Sequence, residues 1–240
     1  MATNNPVTGQ FGTGNVQFFG GIVGTASVAS TFIVPQGVSS VRVRVWGAGS
    51  SGGGAGGFAM KTIYGLVPGA SVVVTPGASN TASTTSFASS FGSYVSANGA
   101  VNLTGATGVG GDINYTGGTG IANYGAGAPS IYGNGTSADT ASSVGASGFS
   151  GAGGNTSGGN GLFGIGGFTI ASTGAAMPTS GLDPNTLNLD AIGTGGGGFS
   201  GVSGVNGGGG ANNGHGGFPA GGGGTNTNSR GGAGLVIVEW

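Results

Sequence analysis

The chain has 240 residues, with 64 glycines, 8 prolines, no cysteine, and a net charge of −1 from 4 basic and 5 acidic side chains. So few cations exclude a phosphate-tracking surface for nucleic acid, the missing cysteines exclude disulfides, and no apolar run approaches the ~20 residues of a membrane-spanning helix. Glycine at this level resembles low-complexity sequence, yet 12 Phe, 5 Tyr and 2 Trp with almost no net charge do not fit a disordered chain.

Residues 1–25 carry neither the basic start nor the apolar core of a secretory leader, and they read as an arm outside the main fold. "STFIVP" (30–35) predicts a strand, "QGVSS" a turn, and "VRVRVW" (41–46) a second strand. In the latter, Val41, Val43 and Val45 share one face, and Arg42, Arg44 and Trp46 share the other. Arg42 and Arg44 are thereby expected to meet solvent or a neighbouring subunit. "GFAMKTIY" (57–64) and "ASVVVT" (70–75) predict further strands around a Pro68-Gly69 turn, and "TSFASSFGSYVSANG" (85–99) a hairpin. "LVIVEW" (235–240) is apolar on both faces except at Glu239, which places it inside a sheet. The expected domains are therefore the arm at 1–25, a β-domain from 26–98 plus 234–240, and a glycine-rich insertion over 99–233.

Within the insertion, glycine recurs every third residue, most clearly at Gly195, Gly198, Gly201, Gly204, Gly207 and Gly210. Ordering 64 glycines costs on the order of 30–60 kcal/mol more than ordering alanines. Side-chain burial cannot offset that in so thin a core, so the backbone itself must supply dense hydrogen bonding. An extended left-handed helix has three residues per turn and no internal hydrogen bonds, and a glycine edge lets neighbouring backbones approach and bond to each other. A flexible linker would carry glycine and serine at arbitrary phase with few apolar residues. Val202 and Val205, and Phe163, Ile165, Phe168 and Phe199, favour a packed bundle.

"GAGSSG" (47–52) matches a dinucleotide-binding glycine pattern, but "GGAGGFAM" follows it and no acid occurs before Asp112, so it reads as a chance match. His215, the only histidine, has Asp112, Asp139, Asp183 and Asp190 scattered far from it, which gives no clustered metal motif and no paired-carboxylate cleft. "GFSGV" (198–202) fails as a serine-nucleophile elbow. The expectation is a protein without catalysis or cofactor. Tyr115, Tyr124, Tyr132, His215 and Phe218 fall in breaks between glycine tracts, chiefly 112–124, 128–144, 168–192 and 211–220. Aromatic anchors among small polar residues suit a contact surface, and loops on a rigid scaffold are where binding residues collect. Phe149, Phe163, Phe168 and Phe199 read instead as plugs of the bundle.

"FIVPQGVSSVRVRVWGAGSSGGGAGGFAMKTI", "VPGASVVVTPGA" and the closing "RGGAGLVIVEW" resemble glycine-rich proteins of bacteriophage tails, in particular tail-fibre adhesins of the polyglycine II type. That resemblance implies a mainly β fold: a β-sandwich closed by N- and C-terminal strands, with an inserted polyglycine II-like bundle. It implies a virion protein at the fibre tip, docked through residues 1–25 onto other tail or fibre proteins, forming a homotrimer. Its variable loops would recognise a bacterial surface glycan or outer-membrane protein, without nucleic acid or membrane insertion. The alternative is a structural virion component, a fibre cap or capsid decoration, with no receptor role. An ice-binding protein would need flat, regular Thr or Ala arrays, which the irregular tracts disfavour.

Overall fold

The structure is a computed structural model that describes residues 15–80, 85–121, 124–138, 148, 151–153, 162, 189–193, 207–210, 214–224 and 229–240. Among these residues there are ten strands. They are β1 (Val16–Gly20), β2 (Ser30–Ile33), β3 (Ser40–Trp46), β4 (Phe58–Tyr64), β5 (Ser71–Thr75), β6 (Ser89–Phe91), β7 (Val95–Ala97), β8 (Gly108–Val109), β9 (Ile113–Tyr115) and β10 (Leu235–Glu239). They form two five-stranded sheets, β1-β10-β3-β4-β9 and β2-β5-β6-β7-β8, with every pairing antiparallel. The chain is mainly β, and its described part holds one short 3-10 turn at Leu189–Ala191.

Alternation along β3 sets the core. Val41, Val43 and Val45 point into one apolar cluster with Phe19, Val236 and Val238 of the first sheet. Phe32, Val72, Val74, Phe91 and Val95 of the second sheet enter the same cluster. Phe32 lies 5.7 Å from the Phe91 ring and 5.5 Å from Trp240. Each fully buried side chain of this kind contributes about 1.5–3 kcal/mol.

The first sheet is covered on its other face too. Trp46, Phe58, Leu235, Ile237 and Val16 pack there with Ala128 and Ala220, and Ile131, Leu189 and Ile192 close over them. The Trp46 indole Nε1 donates to the Pro129 carbonyl at 2.9 Å. This explains why β10 is apolar on both faces, as the sequence predicts. It also corrects the expectation for Arg44, whose side of β3 is roofed by segments from the glycine-rich region.

Two domain boundaries move. Residues 16–20, assigned to the arm, pair with β10 across Val16↔Glu239 to Gly20↔Leu235 and so belong to the first sheet. Residues beyond 98, assigned to the insertion, supply β8 and β9, one to each sheet. The physical reason is the same in both places: a short run of two to five residues becomes a strand once a paired neighbour supplies its hydrogen bonds, and that neighbour is distant in sequence.

The glycine-rich segments are joined by backbone hydrogen bonds that rotate among neighbours. Gly54 and Gly57 donate to Asn102 and Asn98 of one segment, while Ala55 and Gly56 between them donate to Gly118 and Ala220. Gly125 and Ala128 donate to Gly210 and Gly207, Ala126 to Gly53, and Gly127 to Thr136. Gly221 and Gly224 donate to Gly217 and Gly214, Gly222 to Ala126, and Gly223 to Ser50. In each case the fourth donor returns to the neighbour of the first. The stretch 195–206, including Gly201 and Gly204, lies outside the described residues, as do Phe149, Phe163, Phe168, Phe199, Asp139, Asp183 and positions 1–14.

Candidate functional site

Threonines line one side of the glycine-rich region. Residues 103–107 and 116–120 run antiparallel, with Thr107 bridged to Thr116, Gly117 donating to Ala106, and Gly120 donating to Leu103. That register sets Thr107 beside Thr116 and Thr104 beside Thr119, two rows with three-residue spacing. A third row, Asn134 and Ser137, locks onto the second: their side chains accept the N–H groups of Thr116 (2.9 Å) and Thr119 (3.0 Å). Thr104, Thr107 and Thr119 are exposed.

Beside the first row lies a cavity of about 480 Å³, lined by Thr85, Asn98, Val101, Thr104 and Thr107 with small residues between them. Ser86 forms its floor, with its hydroxyl donating to the Gly49 carbonyl at 2.7 Å. No charged side chain contributes to the lining. The lining is mostly apolar with a few hydroxyls and one amide among it, which suits a neutral ligand with both apolar and hydrogen-bonding faces. The sequence carries a trace of this surface in the matching spacing of "TGAT" (104–107) and "TGGT" (116–119).

The five aromatic and histidine candidates are not brought together. Tyr115 on β9 stacks on Phe58, with ring centroids 6.3 Å apart and planes 13° from parallel, and joins the covered face of the first sheet. Tyr124 closes a tight turn by exchanging backbone bonds with Ile121 (2.9 and 3.1 Å). Tyr132 is exposed at the tip of the Ser130–Gly133 turn. Phe218 is exposed beside β1, its ring 3.8 Å from where a Cβ on Gly20 would sit. Since β1 and β9 are opposite edges of the sheet, Phe218 and Tyr115 are separated by four strand spacings, or about 19 Å.

Arg42 and Arg44 form a charge cluster within the chain. Arg44, 3% exposed, pairs with Glu239 at 2.8 Å and with Asp190 at 2.6 Å. Arg42, 49% exposed, pairs with Glu239 at 2.6 Å. The hydrogen bond to Glu239 holds the Arg42 guanidinium above its ordinary pKa, against the opposing effect of burial. Asp190 thus ties the 3-10 turn to the sheet, and Arg44 is committed internally. Asp112 is likewise engaged, accepting the Thr62 N–H at 2.8 Å. The N–H groups of Gly47–Ser50, at the start of the glycine-pattern match, are spent on Gly57, Phe87, Gly232 and Gly54. Among the described residues no group of three or more His, Asp or Glu side chains could hold a metal ion.

His215 is half-buried, and its Nδ1 accepts the Arg230 backbone N–H at 3.2 Å. Burial, and secondarily the Arg230 charge, lowers its pKa from 6.5. The unfolded chain therefore binds a proton more readily than the folded one. Stability is fully present above pH 6.5 and falls as pH drops from there toward the folded value. His215→Gln is expected to flatten the fall in thermal midpoint between pH 7.5 and about 5.5. An unchanged slope in the variant would refute this role. No protein-family model matches the chain, and no curated protein matches it.

Proposed function

We propose that the chain is a bacteriophage virion protein of the tail-fibre tip, a binding module that presents a neutral surface to a bacterial receptor. In this reading the two sheets form a sandwich and the glycine-rich segments a polyglycine II-like bundle. The observation that carries it is the three-residue rotation of backbone donors, as at Gly125, Ala126, Gly127 and Ala128. Successive N–H groups of a three-residue-per-turn helix point to three different neighbours. Such a scaffold is held by main chain, so exposed side chains on its rim can serve recognition without being needed for folding. The tail-protein resemblance of both chain ends supports the virion assignment, and the uncharged threonine surface suits a surface glycan better than a charged partner.

The contact set centres on Thr104 and Thr107 with Tyr132, because these side chains are exposed. Thr104→Val and Thr107→Val keep the side-chain shape and remove the hydroxyls; Tyr132→Ser removes the aromatic anchor. Each lost hydrogen bond is worth about 0.5–1.5 kcal/mol, so the combined variant is expected to reduce particle adsorption to host cells about tenfold or more, with thermal unfolding unchanged. The second reading, a structural virion component, draws on the engagement of Tyr115 and His215 inside the protein. It takes over if the combined variant folds, assembles and adsorbs like the parent.

A further inference from the structure

β1 is an open edge. Asn15 and Trp240 exchange both backbone hydrogen bonds, at 2.9 and 3.0 Å, and Gly21 donates to Gly234 at 2.8 Å. Antiparallel pairs alternate between bonded and non-bonded positions, so residues 15, 17, 19 and 21 bond to β10. Val16, Phe18 and Gly20 turn their N–H and C=O groups away from the sheet, and no described residue meets them. Proteins ordinarily guard such an edge with lysine, proline or a bulge. Here the strand reads Val-Gln-Phe-Phe-Gly, and no charged side chain occurs before Arg42. Phe18 is 42% exposed and Phe218, beside the same edge, 48%.

We infer that this edge pairs with β1 of a second copy of the chain about a two-fold axis through Phe18. Two copies of "VQFFG" laid antiparallel on that axis put Phe18 opposite its mate and Val16 opposite Gly20. Those are the three residues whose backbone groups face outward, so every free donor on the edge meets a free acceptor. A two-fold interface sets each side chain against a copy of its own surroundings. Charge on the axis would therefore repel itself, and this edge carries none. Phe18 lies on the face shared with Val16 and Phe218, so the two Phe18 rings and the two Phe218 rings form one apolar seam. The first sheets of the two copies become one continuous sheet of the dimer. This differs from the homotrimer that the family resemblance implies, and it stands independently of what the threonine surface binds.

The oligomeric mass of the full chain, by light scattering on a sizing column at tens of micromolar, tests this. The expected mass is twice that of the chain. Phe18→Lys puts two like charges on the axis at an exposed position, and is expected to weaken association about 100-fold with an unchanged thermal midpoint. Phe18→Cys introduces the only cysteine. Bonded antiparallel residues have Cα atoms about 5.5 Å apart, within disulfide range. Oxidation is then expected to give a cross-linked dimer, whereas Val73→Cys, more exposed and on the other sheet, stays monomeric on a non-reducing gel. A monomeric or three-fold parent mass, or equal cross-linking of the two cysteine variants, overturns the inference.

Discussion

Removal of Leu235–Trp240 is expected to abolish folding, although it takes only the last strand and one residue. β10 lies between β1 and β3, hydrogen-bonded on both sides. Val236 and Val238 are fully buried on one face, Ile237 and Leu235 almost or fully buried on the other. Four such side chains contribute about 1.5–3 kcal/mol each, which together is comparable to the whole stability of an ordinary domain. Loss of the strand also leaves β1 without a partner and β3 with an exposed edge. The truncated chain should be insoluble or lack a cooperative thermal transition, whereas Ile237→Ala should fold with stability lowered by about 2–5 kcal/mol. A soluble truncation with unchanged far-ultraviolet circular dichroism would remove β10 from its central role.

Gly125→Val is expected to be severely destabilising. The Gly125 N–H donates to Gly210, its carbonyl accepts from Gly153, and a Cβ there would collide with the carbonyl oxygen of Gly222. Backbone closes every side, so nothing can rotate out of the way. Overpacking of this kind costs about 3 kcal/mol, with the bonds to neighbouring segments lost in addition. Gly37→Ala is the control. Gly37 has a φ of +80° but open space around it, so its variant suffers only the left-handed strain, about 1 kcal/mol. Equal thermal shifts at the two positions would mean that the segments around Gly125 are not closely packed.

The sheets were largely legible from residue pattern. Strict alternation in β3 marked Val41, Val43 and Val45 as core, and a run apolar on both faces marked β10 as central. Alternation does not say what covers the second face. Arg44 reads as solvent-facing in the sequence because its partner Asp190 is 146 residues away, and nothing near Trp46 in the sequence points to its acceptor, Pro129. β1 falls within the span assigned to the arm because "VQFFG" shows no strict alternation and its partner strand lies at the far end of the chain. The candidate site was less legible still. Tyr115 reads in the sequence as an aromatic in a break between glycine tracts, but stacking on Phe58 uses its ring within the fold. Thr104, Thr107, Thr116 and Thr119 do not stand out in a chain where threonine is common, and only the lateral register of two segments sets them side by side.

The position of β10 also governs when the molecule can form. Arg42 on β3 and Glu239 on β10 are 197 residues apart in the chain. A ribosome adds about 5–20 residues per second, so β3 emerges roughly 10–40 s before the strand that completes its sheet exists. Throughout that interval Val236 and Val238 are missing from the cluster around Val41, Val43 and Val45, and the edge destined for β10 stays open. Pairing across such a separation is slow to close and exposed to aggregation while it waits. The cell must therefore shelter a half-built sheet during synthesis, and the yield of the protein should depend on holding chaperones more than its small size would suggest.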